Sequence, residues 1–152
     1  YGSDLLEGKR SAGKKVLVVG GGMVGCETAD FLGEQKHDVT VIEFRDEIGA
    51  DIIHEHRVYL MKSFEEYGVK KITGAKVCRF FADGVEYETA DGVRHEIRGY
   101  DSVVLSMGYQ NYNPFGENIK ELAAETYVIG DAVRARRALD ATEEAYKVAS
   151  QI

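Results

Sequence analysis

The chain has 152 residues, 44% of them hydrophobic, and a formal charge of −7, enough for one core with a minor appendage and too little for two full domains. The negative balance argues against a nucleic-acid or anionic-membrane surface, since both need positive potential over the contact face. No apolar stretch approaches the about 18 residues of a membrane span, and no signal-peptide core opens the chain, so a soluble cytoplasmic protein with small-molecule ligands is expected.

Residues 1 to 15 are polar, punctuated by glycine and without periodicity, and read as a lead-in linker. "VLVVG" (16–20) is a continuous apolar strand of the kind buried on both faces of a parallel sheet. After the glycines, Val24, Thr28, Phe31 and Leu32 recur at helical spacing up to Gly33, and "DVTVIEF" (38–44) is the next strand, which makes a βαβ unit. A second helix is predicted from about Asp51 to Tyr67, with Ile53, Leu60, Phe64 and Tyr67 on its core face and Gly68 as its stop. "VKKI" (69–72) reads as a weak third strand. The period then changes to two, and "ADG" occurs twice, at 82–84 and 90–92, which predicts a three-stranded antiparallel meander. "YDSVVLSMG" (100–108) is a buried strand rejoining the parallel sheet, with the meander serving as its crossover. The fold class is therefore α/β, a Rossmann-like parallel sheet with helices on both faces. Beyond Gly108, "YQNYNPFGEN" is a connection, "IKELAAE" a short helical piece and "TYVIGD" (126–131) a strand. Asp140 is expected to N-cap a last helix, with Glu143 at capping-box spacing.

The chemistry is concentrated where the first strand ends. Gly20, Gly22 and Gly25 spell G-x-G-x-x-G between a strand and a helix, the context that gives this motif meaning. Bare backbone there lets a pyrophosphate approach the main chain and meet the free N–H groups of the helix N-terminus, and Gly25 permits close helix–strand packing. The acid expected at the end of the second strand to hold the ribose is present as Glu43, eighteen residues after Gly25. Its carboxylate favours NADH over NADPH, because a 2′-phosphate would meet like charge. Arg45, two residues on, is the group that could offset that repulsion by pairing with the phosphate.

Together, "GKKVLVVGGGMVGCETADFL", "DVTVIEF", "VVLSMGYQ" and "TYVIGDA" resemble the pyridine nucleotide-disulfide oxidoreductase superfamily of FAD/NAD(P) flavoproteins. "YVIGDAVRARRALDATEEA" is similar to the old-yellow-enzyme-fused NADH:flavin oxidoreductases, the group of 2,4-dienoyl-CoA reductase, enoate reductase and bile-acid-inducible enzymes. The resemblance implies a chain that leaves FAD-binding structure, builds an inserted NAD domain and returns: a lead-in at 1–13, the NAD(P) domain at 14–112, a connection at 113–125 and a returning FAD segment at 126–152. The first FAD half is absent, as expected of a piece of a longer protein. By the same resemblance Gly20, Gly22, Met23, Val24 and Gly25 line the NAD pyrophosphate, Glu27 reaches toward the nicotinamide, and Met107 and Gly108 close over the nucleotide. Gly130 and Asp131 belong to the FAD contact, and the last helix points its N-terminus at the flavin.

Gly20 to Glu43 could alternatively be a flavin site. In that case the Gly-Asp motif would lie beyond an entire inserted domain, whereas only about a hundred residues separate Gly25 from Asp131. His54 and His56, two apart on a helix, face opposite ways, so no metal site is expected. Cys26 and Cys78 form no reactive pair and read as small buried residues. The expected function is NADH presentation to FAD, with no catalytic acid, base or nucleophile in this chain. The isolated chain should bind no flavin tightly and oxidise no NADH. Its partners are the dinucleotide and the rest of the parent flavoprotein, its FAD half and substrate domain. A non-catalytic NAD-responsive module is the alternative, disfavoured by the returning "TYVIGD".

Overall fold

The computed structural model describes residues 1–116, 118–121 and 123–152. They divide into two compact units, Tyr1–Gly108 and Tyr109–Ile152.

In the first unit, α1 (Gly2–Leu6) precedes β1 (Lys15–Val19), α2 (Met23–Glu34), β2 (Asp38–Ile42), α3 (His54–Tyr67) and β3 (Lys70–Ile72). Strands β4 (Ala75–Phe81), β5 (Gly84–Thr89) and β6 (Arg94–Ile97) then form the meander, and β7 (Ser102–Leu105) follows. The parallel sheet has the order β3-β2-β1-β7 and the antiparallel sheet the order β4-β5-β6. Thus the βαβ unit, the meander and the rejoining strand all stand as predicted. Lys70 and Lys71 are exposed on the edge strand β3, where charge discourages pairing with another chain.

Alternation along β1 divides the core. Val16 and Val18 face one side with Val39, Val41 and Val104, and pack against Leu5 of α1, Cys26, Ala29 and Leu32 of α2, and Leu60 and Phe64 of α3. Leu17 and Val19 face the other side with Ile42, where Ala75, Val85, Val77, Tyr87 and Ile97 of the meander cover them. The layering differs from helices on both faces: in this unit the helices share one face and the meander takes the other. Apolar β4 and β5 residues supply the cover a helix would have given. Thr40, a buried polar residue on that face, accepts a hydrogen bond from the Tyr100 hydroxyl at 3.1 Å.

Several boundaries depart from expectation for local reasons. Part of the supposed linker is helical: Leu5 of α1 is buried and Gly2 packs so closely that a Cβ there would meet the Ser106 and Thr28 hydroxyls. Helix α3 begins at His54 because residues 49–52 form a turn closed by the Ile52 N–H on the Gly49 carbonyl at 3.0 Å. Ile53 becomes the N-cap and lies exposed, while Ser63 is buried in the helix. Cys26 is buried as expected, but Cys78 is exposed, because the β4–β5 register shifts between Val77 and Arg79 and turns that side chain outward.

In the second unit, Asn118–Glu121 and Gly130–Ala132 are short 3₁₀ turns and α4 spans Ala138–Ala149. The predicted helical piece at 119–125 is seen as the first of these turns; Leu122 within it lies outside the described residues. Residues 126–129 do not form the predicted strand: they carry no ladder pairing among the described residues. Asp140 is not the N-cap of α4. It stands three residues inside, where its Oδ2 accepts the N–H of the N-cap Arg137 at 3.1 Å, an acid placed favourably in the first turn. Among the described residues no helix is long and apolar enough to cross a membrane.

Candidate functional site

At the carboxyl ends of β1, β2 and β7 an open cavity of about 500 Å³ is lined by the glycine turn, by Glu43, Phe44, Arg45, Glu47 and Asp51, and by Met107 and Gly108. This is where a doubly wound sheet places its ligand, and the size suits one. Ala75, Lys76 and Val77 of β4 close the side nearest Glu43 in the chain fold.

The glycines do different work. Gly20 has φ of +104°, and a Cβ there would lie 2.3 Å from the Ser106 carbonyl oxygen; its N–H is held by the Ile42 carbonyl at 2.9 Å. Gly25 packs on that same turn, with its missing Cβ only 1.8 Å from the Gly20 carbonyl oxygen. Gly20 and Gly25 therefore serve backbone packing. Gly22 is the N-cap of α2, and its side-chain position looks out at the Asp51 carboxylate.

Glu43 is fixed by backbone: Oε2 accepts the Gly21 N–H at 2.5 Å and Oε1 the Arg45 N–H at 2.9 Å. Each oxygen keeps a lone pair for an incoming hydroxyl. Glu47 is paired with Arg57 at 2.5 Å. Beneath the turn, the Cys26 thiol donates to the Gly21 carbonyl at 3.3 Å. Burial first, and then the negative charges of Asp51 and Glu43, push its pKa up to about 12, so it is an inert thiol.

The structure thus brings Gly20, Gly22, Glu43, Arg45, Met107 and Gly108 to one cavity. Met23, Val24, Gly25 and Glu27 lie in the first turns of α2 outside its lining, although the Met23 N–H points to its mouth and donates to Asp51 Oδ2 at 3.3 Å. Gly130 and Asp131 lie in the second unit. There the Gly130 N–H donates to Glu144 Oε2 at 2.7 Å, Glu144 also pairs with the Arg136 guanidinium, and Asp131 Oδ1 accepts the Arg136 N–H at 3.2 Å. The hydrogen bond from the Arg136 guanidinium, then that from the Gly130 N–H, hold the Glu144 pKa below the usual carboxylate value. Sequence reasoning missed Glu144, Phe44, Lys76 and Asp51. For Asp51 a signal existed: it follows the second strand, in a loop that topology places at the sheet's carboxyl end.

Space and donors fit a dinucleotide: the cradle over Gly22 is one a side chain would fill, and the first turn of α2 offers N–H groups to an anion. Fold and cavity define a nucleotide-binding Rossmann-like domain. Residues 3–134 match the pyridine nucleotide-disulphide oxidoreductase family, and the chain belongs to that family, whose cofactors are a flavin and a nicotinamide nucleotide. It is 34% identical over 152 residues to an NADH oxidase of Thermoanaerobacter brockii, covering 98% of this chain and 23% of that protein. Against a bilirubin reductase of Mediterraneibacter gnavus it is 35% identical over 137 residues, covering 90% and 21%. A solved 2-naphthoyl-CoA reductase complex superposes with a TM-score of 0.82 at 30% identity, covering 99% of this chain and 23% of that one. The chain spans about a quarter of the length of these relatives and stands near the enoate-reductase types of the family.

Proposed function

We propose that this chain is the NADH-binding domain of a flavin-dependent oxidoreductase and holds NADH for oxidation by FAD in the intact protein. The observation that carries the reading is the glycine turn latched to Glu43 by the Gly21 N–H at 2.5 Å, which joins a phosphate cradle and a ribose acceptor in one rigid unit. In this reading residues 14–112 are the NAD domain and 126–152 a segment of the FAD domain, with Gly130 and Asp131 toward the flavin. The nucleotide supplies the hydride; the protein binds, orients and excludes water. Gly22 and the Met23 and Val24 N–H groups receive the pyrophosphate, Glu43 the adenosine ribose hydroxyls, and Met107 and Gly108 cover the nucleotide. Glu27 stands on the nicotinamide side.

Glu43 makes the cofactor choice testable. Calorimetric titration of NADH and NADPH into the native chain should give NADH the tighter binding by about tenfold, since like-charge juxtaposition at a partly open site costs on the order of 1 kcal/mol or more. In Glu43→Gln that ratio should shrink, whatever happens to absolute affinity through the altered bond to Gly21. Tighter binding of NADPH by the native chain refutes the assignment and points to Arg45 instead.

A further inference from the structure

The N-terminus of α2 already holds an anion, and it comes from the protein. Met23 N–H donates to Asp51 Oδ2 at 3.3 Å. A Cβ on Gly22 would lie 3.2 Å from Oδ2 and 3.4 Å from Oδ1, so both carboxylate oxygens stand over the bare backbone that the proposed function gives to the pyrophosphate. The loop on either side of Asp51 is anchored. Gly49, with φ of +69°, donates its N–H to the Gly21 carbonyl at 2.7 Å, and Ile48 and Ile52 are buried beside it. From α3, Arg57 Nε donates to the Ile48 carbonyl at 2.8 Å while its guanidinium pairs with Glu47. Arg57 is therefore committed elsewhere and does not neutralise Asp51. The cations that line the cavity are Arg45 and Lys76, facing the acids Glu43, Glu47 and Asp51.

We infer that Asp51 competes with the dinucleotide pyrophosphate for the N-terminus of α2 and so sets the affinity of the domain. This rests on the reading that the glycine turn binds a dinucleotide. In the free chain the carboxylate satisfies a helix-terminal donor and stabilises the positive end of the helix. An arriving pyrophosphate must displace that carboxylate or bear its charge at close range, and either course weakens binding. A moderately held cofactor suits a domain that must release its nucleotide after each use.

Asp51→Asn tests charge, because an amide oxygen can still accept from Met23, and Asp51→Ala tests occupancy. Asp51 is exposed, so both variants should fold. Calorimetric titration with NADH should show binding tighter by about tenfold in Asp51→Asn and at least as tight in Asp51→Ala, as expected for removal of one like charge from an anion site. Adenosine, which has the ribose and base but no phosphate, should shift the amide spectrum of native and variant chains with unchanged affinity. Without ligand both variants should melt slightly below the native chain. Equal or weaker NADH binding by both variants overturns the inference, as does an equal gain for adenosine, while leaving the dinucleotide reading intact. NADH binding to neither native chain nor variants overturns both.

Discussion

Gly25→Ala is the sharpest test of how the glycine turn is built, because its expected sign is opposite to the ordinary one. Gly25 is the third residue of α2, and Gly→Ala inside a helix normally stabilises by up to about 1 kcal/mol. Here the new Cβ would lie 1.8 Å from the Gly20 carbonyl oxygen and 2.9 Å from its carbon, with the Ser106 Cβ at 3.4 Å. Gly20 cannot yield, since its N–H is tied to Ile42 and its own α-carbon abuts the Ser106 carbonyl. Ordinary van der Waals contact requires α2 to move by roughly 1.5 Å, prising Cys26, Ala29 and Leu32 from Val16 and Val18. Overpacking of that kind costs about 1 to 3 kcal/mol, and rigid backbone on one side puts this case at the upper end. Offset by propensity, a net loss of about 2 kcal/mol lowers the melting temperature by roughly 8 to 16 °C for a unit of this size. Gly22→Ala is the control: its φ is −75° and its Cβ meets only the movable end of Asp51, so its melt should shift by only a few degrees while NADH affinity falls. Thermal melts followed by circular dichroism separate the two. A Gly25→Ala chain melting at or above the native temperature refutes the packing role.

The two cysteines should differ in reactivity: in the folded chain a maleimide should modify exposed Cys78 within minutes and leave buried Cys26 untouched, with two modifications appearing only on unfolding; rapid double labelling of the native chain, read by mass spectrometry, contradicts this. Asp83 should contribute to acid stability, because the Gly99 N–H, and next the Arg98 guanidinium, hold its carboxyl below its ordinary value of 3.8. A depressed native pKa gives stability that is complete above 3.8 and lost as pH falls through the lower native value. Asp83→Asn should therefore melt below the native chain at neutral pH, with the gap closing below about pH 3.8; a gap constant with pH would show that charge is not the cause.

Strand, glycine turn, helix and acid were legible because each is a local pattern whose partner lies within about thirty residues. The hairpins were legible for the same reason, through their Asp-Gly turns. Helix α1 was not, since five residues show no period, and what holds it is burial of Leu5 together with Gly2 lying against Ser106, about a hundred residues away. The stretch 126–131 has a strand's composition, but being a strand requires an edge to pair with, and composition says nothing about the edge. At the site, Glu43 follows from its place at the end of a strand. Asp51 depends on a bond across 28 residues, set by the turn at Gly49, which displaced the predicted start of α3.

The clamping of the glycine turn has a thermodynamic consequence. Gly20 is tied to β2 through Ile42, Ser106 donates to Val19 of β1 at 2.8 Å, and Gly21 both donates to Glu43 and accepts from Gly49. A ligand arriving here finds the main chain already in one conformation, so little backbone entropy is lost on association and the cradle does not have to be assembled around its guest. What must rearrange is confined to side chains, chiefly that of Asp51. The recognition element is thus among the stiffest parts of this unit, and nucleotide exchange can proceed without loosening the sheet that carries it.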